Sequence, residues 1–172
     1  MKNNTQKLIL IFTLIISIKI IAQNDGKKND QTEKFVQNKG KYSIPLSKYK
    51  NRDEQCAKIK NVNYVFEITQ SCDDQRIEII GTEDSFVLAI ADGKIVKILD
   101  DKLNDSKTII VKHGDFFSVY SNVKNIKINV LDEIKKNQKI GQLSKIGDKY
   151  FLEFQIWYKT EPVNPLEWIN VK

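Results

Sequence analysis

A mainly β fold built as an antiparallel sheet is what the chain predicts from Arg76 onward, and three observations predict it. Short apolar runs alternate with polar residues and are separated by turn residues. Asp92-Gly93 and His113-Gly114-Asp115 stand between pairs of such runs, at spacings that fit tight hairpins. Tyr150 to Tyr158 then alternates as one long strand. It sets Leu152, Phe154 and Ile156 on one face and Phe151, Glu153, Gln155 and Trp157 on the other.

The elements follow in order. Phe86–Ala91 and Lys94–Leu99 flank Asp92-Gly93 as a predicted hairpin. Thr108–Lys112 and Phe116–Tyr120 flank His113-Gly114-Asp115 in the same way. Ile126, Ile128 and Val130 alternate as a further short strand, and Ile134, Ile140 and Leu143 mark another short pair. Upstream the signals are mixed. Leu46–Lys60 suits a short helix after Pro45, and Tyr64–Thr69 alternates as a strand. No internal repeat or heptad run is present.

Before the sheet, composition divides the chain. Residues 1–22 read as a signal peptide: Lys2 and Lys7 begin it, Leu8 to Ile18 is apolar, and Ala22 precedes a cleavage point at Gln23. Lys19 interrupts the run, which is shorter than the ~20 residues of a membrane span, so export without a stable span is expected. Residues 23–41 are rich in Asn, Lys, Asp and Gln and are expected to be a disordered leader. Residues 42–73 form an N-terminal extension, and 74–172 form the β domain.

Loss of the signal peptide lowers the formal charge from +6 to +3, because that segment carries three lysines and no acid. No basic block is interleaved with aromatics, and Asp100, Asp101, Asp132 and Glu133 are mixed among the lysines, which argues against nucleic acid as a partner. Cys56 and Cys72 are the only cysteines, and in an exported chain they are a candidate disulfide. Such a bridge closes a loop of about 15 to 17 residues, worth roughly 3 kcal/mol in the chain-entropy model. The alternative is two reduced thiols.

Several residues in shared order carry a family resemblance. They are Val87-x-Ala89, Asp92-Gly93-Lys94-Ile95, His113-Gly114, Val119-Tyr120, Ile140-Gly141, Leu152-x-Phe154, Pro162-Val163-Asn164-Pro165-Leu166 and Trp168-Ile169. Over about residues 74–170 this order resembles the lysostaphin-type (LytM-like) zinc metallopeptidases, which hydrolyse peptide cross-links of bacterial cell walls. The resemblance implies the split-barrel sandwich known as the duplicated hybrid motif. It also shows what is missing. The family's zinc ligands fall on Asp74, Glu78 and Glu153, and its catalytic histidines fall on Asn122 and Phe151.

A catalytic zinc site takes nitrogen-rich ligands and an open position for water, and His113 is the only histidine here. In the family it matches a His-Gly turn that caps a hairpin and binds no metal. Two turn glycines of the family are read onto Asp132 and Asn137, residues that tolerate turn geometry. The resemblance therefore implies a degenerate member with no metal and no cofactor. Its expected role is an exported binding or regulatory module of the cell envelope, periplasmic or extracellular, with a cell-wall hydrolase or peptidoglycan as partner. Phe151, Glu153, Gln155 and Trp157 are the candidate binding face.

Two alternatives stay open. One is a peptidoglycan-active metallopeptidase with an altered carboxylate site, and the other is a purely structural envelope protein. If Asp74, Glu78 and Glu153 converge, three anions cannot all stay ionised alone: a lysine or arginine pairs with them, one is protonated, or a hard ion is bound. Arg76 and Lys149 are the nearest in sequence, and an oxygen-only site would favour calcium or magnesium over zinc.

Overall fold

A computed structural model describes residues 30–48, 68–70 and 75–170. The segment expected as a signal peptide, Asp74, Cys56 and Cys72 lie outside the described residues, as does most of the helix expected over Leu46–Lys60. Within them, Leu46 forms an antiparallel bridge to Val87 instead of opening a helix.

The strands are β1 (Ile68–Gln70), β2 (Arg76–Ile80), β3 (Phe86–Leu88), β4 (Gly93–Asp101), β5 (Ser106–His113) and β6 (Phe116–Lys124). They continue with β7 (Glu133–Ile134), β8 (Lys139–Leu143), β9 (Lys145–Ile146), β10 (Lys149–Tyr158) and β11 (Glu161–Val163), before a 3₁₀ turn at Pro165–Glu167. The main path runs β1-β2-β10-β6-β5-β4-β7, and its pairings are antiparallel. β10 is central, hydrogen-bonded to β2 on one side and β6 on the other. Leu152, Phe154 and Ile156 are fully buried on its core side, as alternation requires.

The β5–β6 hairpin forms as expected. His113 pairs with Phe116, and Gly114, at φ +72°, takes the first position of the two-residue turn. The Asp92-Gly93 hairpin does not form. β3 pairs with β8, whereas β4 pairs with β5 and β7. Gly93 is needed for close approach: a Cβ there would stand 2.5 Å from the Lys112 carbonyl. Asp92 accepts the Lys136 backbone N–H at 2.8 Å, so the pair docks a neighbouring loop and does not reverse a hairpin.

The stretch expected as a strand from Ile126 to Val130 is irregular. It leads into a turn, Asn129–Asp132, closed by Asp132 N–H donating to Asn129 C=O at 3.2 Å. The left-handed residue of that turn is Leu131, at φ 80°, one position before the Asp132 assigned from sequence. Asn137, at φ 64°, holds the same place in the next turn, as assigned.

The larger correction lies upstream. Residues 30–37, expected within a disordered leader, form a helix, α1 (Asp30–Gln37). Asp30 and Glu33 sit in its first turn, and Lys34 Nζ reaches Asp30 Oδ2 at 2.6 Å, the favourable order for an i,i+4 pair. Gly40, at φ +74°, follows the helix end.

One apolar side chain holds the helix. Phe35 is buried against Tyr42, His113, Phe116 and Trp168, with ring centroids 4.9 to 5.2 Å away. Tyr42 Oη donates to the Phe35 carbonyl at 3.0 Å, and Tyr42 itself bridges to Ile169 near the other end of the chain. Composition alone hid this, because the folding energy of a short polar segment rests on one aromatic. No helix among the described residues is long and apolar enough to cross a membrane.

Candidate functional site

Glu153 lies opposite Glu78 of β2 and opposite Ser121 of β6 in the strand register. Antiparallel partners bring their Cα atoms to about 4.5–5.5 Å, so the fold sets two of the three sequence-assigned carboxylate positions side by side. Like charges directly opposed in a sheet are destabilising unless compensated. Arg76 supplies the compensation. Its Nη1 lies 3.6 Å from Glu153 Oε2, and the two side chains are 18% and 15% exposed. Arg76 follows from the same alternation, since it stands two residues before Glu78 on the same face.

The other carboxylate oxygen is also occupied. Gln155 Nε2 donates to Glu153 Oε1 at 3.3 Å, while Gln155 Oε1 accepts the Trp157 indole N–H at 2.9 Å. The face of β10 expected to be a binding surface therefore splits. Gln155 and Trp157 are buried, Trp157 in a second apolar cluster with Ile110, Phe117 and Val119. Phe151 and Glu153 are partly accessible. The correction has a physical reason: the indole is one of the largest apolar surfaces in the chain, and Gln155 gives its N–H a buried partner. A Gln-x-Trp pair at strand spacing was the available signal.

Beyond Glu153, β6 supplies Ser121, whose Oγ accepts the Thr108 hydroxyl at 2.9 Å. Asn122 follows with a left-handed backbone, φ 66°, and its carbonyl accepts the Ser144 N–H at 2.8 Å. Phe151 pairs with Ile80 across β2. Lys149 begins β10 and is exposed, so of the two cations considered it is Arg76 that meets Glu153. Among the described residues no group of three or more His, Cys, Asp or Glu is placed to hold a metal ion.

His113 is at the other end of β6, and both of its ring nitrogens are engaged. Nδ1 lies 2.7 Å from the Asp92 carbonyl and Nε2 lies 2.7 Å from Ser118 Oγ. Ser118 Oγ is also 3.0 Å from Tyr120 Oη, which accepts the Ile90 N–H at 3.0 Å. A carbonyl can only accept, so Nδ1 carries the proton and Nε2 accepts from Ser118. Tyr120 then gives its proton to Ser118, and each member of the buried chain is satisfied. Burial pushes the His113 imidazole down to about 4, against a smaller opposing effect of Asp92. His113 is a structural core residue with no lone pair left for a metal. It does not cap its own turn, since its partners are Asp92 and Ser118.

Residues 74–165 match the family model described as Peptidase family M23. The chain belongs to peptidase family M23. Curated relatives include the murein hydrolase activator NlpD of Escherichia coli, 32% identical over 95 residues that make up 54% of this chain and 25% of that protein. The lipoprotein NlpD of Yersinia enterocolitica is 30% identical over 94 residues, 54% of this chain and 97% of that sequence. The chain thus spans about a quarter of the Escherichia coli relative. Among solved structures, a putative peptidase M23 from Pseudomonas aeruginosa aligns with TM-score 0.54 at 15% identity, covering 85% of this chain and 64% of that one. Csd3 of Helicobacter pylori aligns with TM-score 0.55 at 15% identity, covering 76% and 33%. Both support the fold.

From the sequence, the family's zinc-ligand and catalytic positions are expected at Asp74, Glu78, Glu153, Asn122 and Phe151. This M23 domain is degenerate: its sequence holds one histidine, His113, whose two ring nitrogens are both engaged in the core, and a guanidinium pairs with the Glu153 carboxylate.

Proposed function

We propose that this M23 domain acts by binding, as a non-catalytic module of the cell envelope that controls a peptidoglycan hydrolase. The observation that carries the reading is the Arg76–Glu153 pair at 3.6 Å. Where a peptidase of this family holds a metal ion, a fixed protein cation sits against the carboxylate. An arginine neutralises charge but offers no exchangeable position for water, so it cannot generate the metal-bound nucleophile that hydrolysis needs. The name of the Escherichia coli relative, murein hydrolase activator, supports regulation as the purpose.

Export through the predicted signal peptide puts the domain in the periplasm or outside the cell. The names of relatives as lipoproteins agree with an envelope location. Partly accessible Phe151 and Glu153 form the partner-facing edge of the old site, and Gln155, buried next along the same face of β10, holds the Glu153 carboxylate in place.

The test is reconstitution. Purified protein is added to dye-labelled peptidoglycan together with candidate wall amidases and endopeptidases from the same cell. Dye release by one of these enzymes should rise when the protein is present, and fall back with Phe151→Ala. Failure to change release by any of them sinks the regulatory reading and leaves the structural one.

A further inference from the structure

A second cleft, of about 300 Å³, lies between α1 and the loops around Asp92 and Lys136. It is at the opposite end of β6 from Glu153, next to the His113 turn, and no role in the M23 site involves it. Its volume is at the lower end of the range for small-molecule pockets.

Lining it are Gln31, Lys34 and Phe35 of α1 and Asn38 just past the helix end, spaced i, i+3, i+4 and i+7 and so continuing one face of the helix. A helix that merely packed on the sheet would make that stripe apolar. Here three of the four positions are polar and only Phe35 is apolar. The floor is different: Tyr42, Ala91 and His113 are buried there beside Phe35, and the imidazole is held neutral. The cleft thus joins an apolar, aromatic base to a polar rim.

The rim's charges decide the ligand class. Lys34 is paired with Asp30 at 2.6 Å. Asp92 is ionised well below the usual carboxylate range, chiefly because the Lys136 backbone N–H donates to it. The same bond fixes the backbone of Lys136. Its ammonium stands 5.7 Å from the centre of the Tyr42 ring, a cation–π approach that leaves its hydrogen-bond donors available. Asp92 is itself paired, with Lys135 Nζ 3.4 Å from its Oδ2, so among the described residues Lys136 is the lining cation that no carboxylate holds. One such ammonium matches one negative charge, and a single carboxylate on an apolar body fits both it and the aromatic base.

We propose that this cleft binds a small monocarboxylate with an aromatic or branched aliphatic body. The carboxylate lies on Lys136 and the body rests against Phe35, Tyr42 and Ala91. Free carboxyl ends of short peptides have this chemistry.

N-acetyl-L-phenylalanine is the probe, and its amide, which lacks the charge, is the control. Both are titrated into the ¹⁵N-labelled full protein. The acid should shift amide signals of Lys34, Phe35, Tyr42 and Lys136 and leave those of β10 in place. The amide, and the acid added to Lys136→Gln, should bind about ten-fold more weakly. Unchanged β10 signals in Lys136→Gln show that the variant is folded. No shift with the acid at millimolar concentration, equal shifts with the amide, or full binding by Lys136→Gln each overturns the proposal. None of these outcomes bears on hydrolase control, which is read from a different assay.

Discussion

Replacing Phe35 with alanine removes the side chain on which α1 depends. Phe35 is 2% exposed and meets four rings, so truncation should cost about 3–5 kcal/mol, the usual range for a buried phenylalanine. An eight-residue helix has no stability of its own, being well short of the ~12–15 residues at which isolated helices become marginal. The helix should therefore detach while the sheet, whose central strands bury their own core, stays folded. His113 would then lose its stacked cover, and its pKa should climb from about 4 toward the ordinary value near 6.5. Two readings check this together: urea unfolding for the stability, and the imidazole Cε1–H resonance against pH for the titration. A stability loss below about 1 kcal/mol, with His113 still neutral at pH 5, would refute the docking of α1 described above.

Other outcomes follow from single sites. Leu131 is 66% exposed and holds a left-handed backbone that costs a branched side chain about 1–2 kcal/mol. Leu131→Gly should therefore raise stability by roughly 0.5–1 kcal/mol after the entropy of glycine is deducted, measured by urea denaturation. Arg76→Ala leaves Glu153 opposite Glu78 without its cation and should cost about 1–3 kcal/mol, most of it recovered in the double variant Arg76→Ala, Glu153→Gln. Recovery of nothing would mean that the pair does not compensate charge. Ser118→Ala leaves His113 Nε2 and the Tyr120 hydroxyl short of a buried partner and should cost about 1–3 kcal/mol. The pH dependence has a definite sign. His113 binds its proton more weakly folded than unfolded, so its contribution is complete above about pH 6.5 and is lost as pH falls toward 4, in all roughly 3 kcal/mol. A His113→Gln variant should flatten that part of the stability profile.

What the sequence disclosed depended on repetition of a pattern. β10 was legible because its alternation runs unbroken, and its core residues fell where period two puts them. Its opposite face was misjudged at Trp157 and Gln155, since period two says which residues share a face but not what covers it. The Asp92-Gly93 pair resembled a hairpin because the same two residue types serve a tight turn and a close approach, and only the position of Lys112 separates these uses. α1 was missed because burial of one phenylalanine among polar neighbours leaves almost no trace in local composition. At the site, Glu78, Glu153 and Arg76 could be listed from sequence. Their convergence could be stated only with the register of β2 on β10.

The proposal of a non-catalytic domain rests on the Arg76–Glu153 pair, 3.6 Å apart, standing in place of a metal. Its most direct measurement incubates the purified protein alone with peptidoglycan over a range of zinc, calcium and magnesium concentrations and follows fragment release by mass spectrometry. The expected result is no release above the no-protein control under any metal. Release that depends on a metal and disappears with Glu153→Ala would contradict the account and establish an enzyme with a carboxylate site.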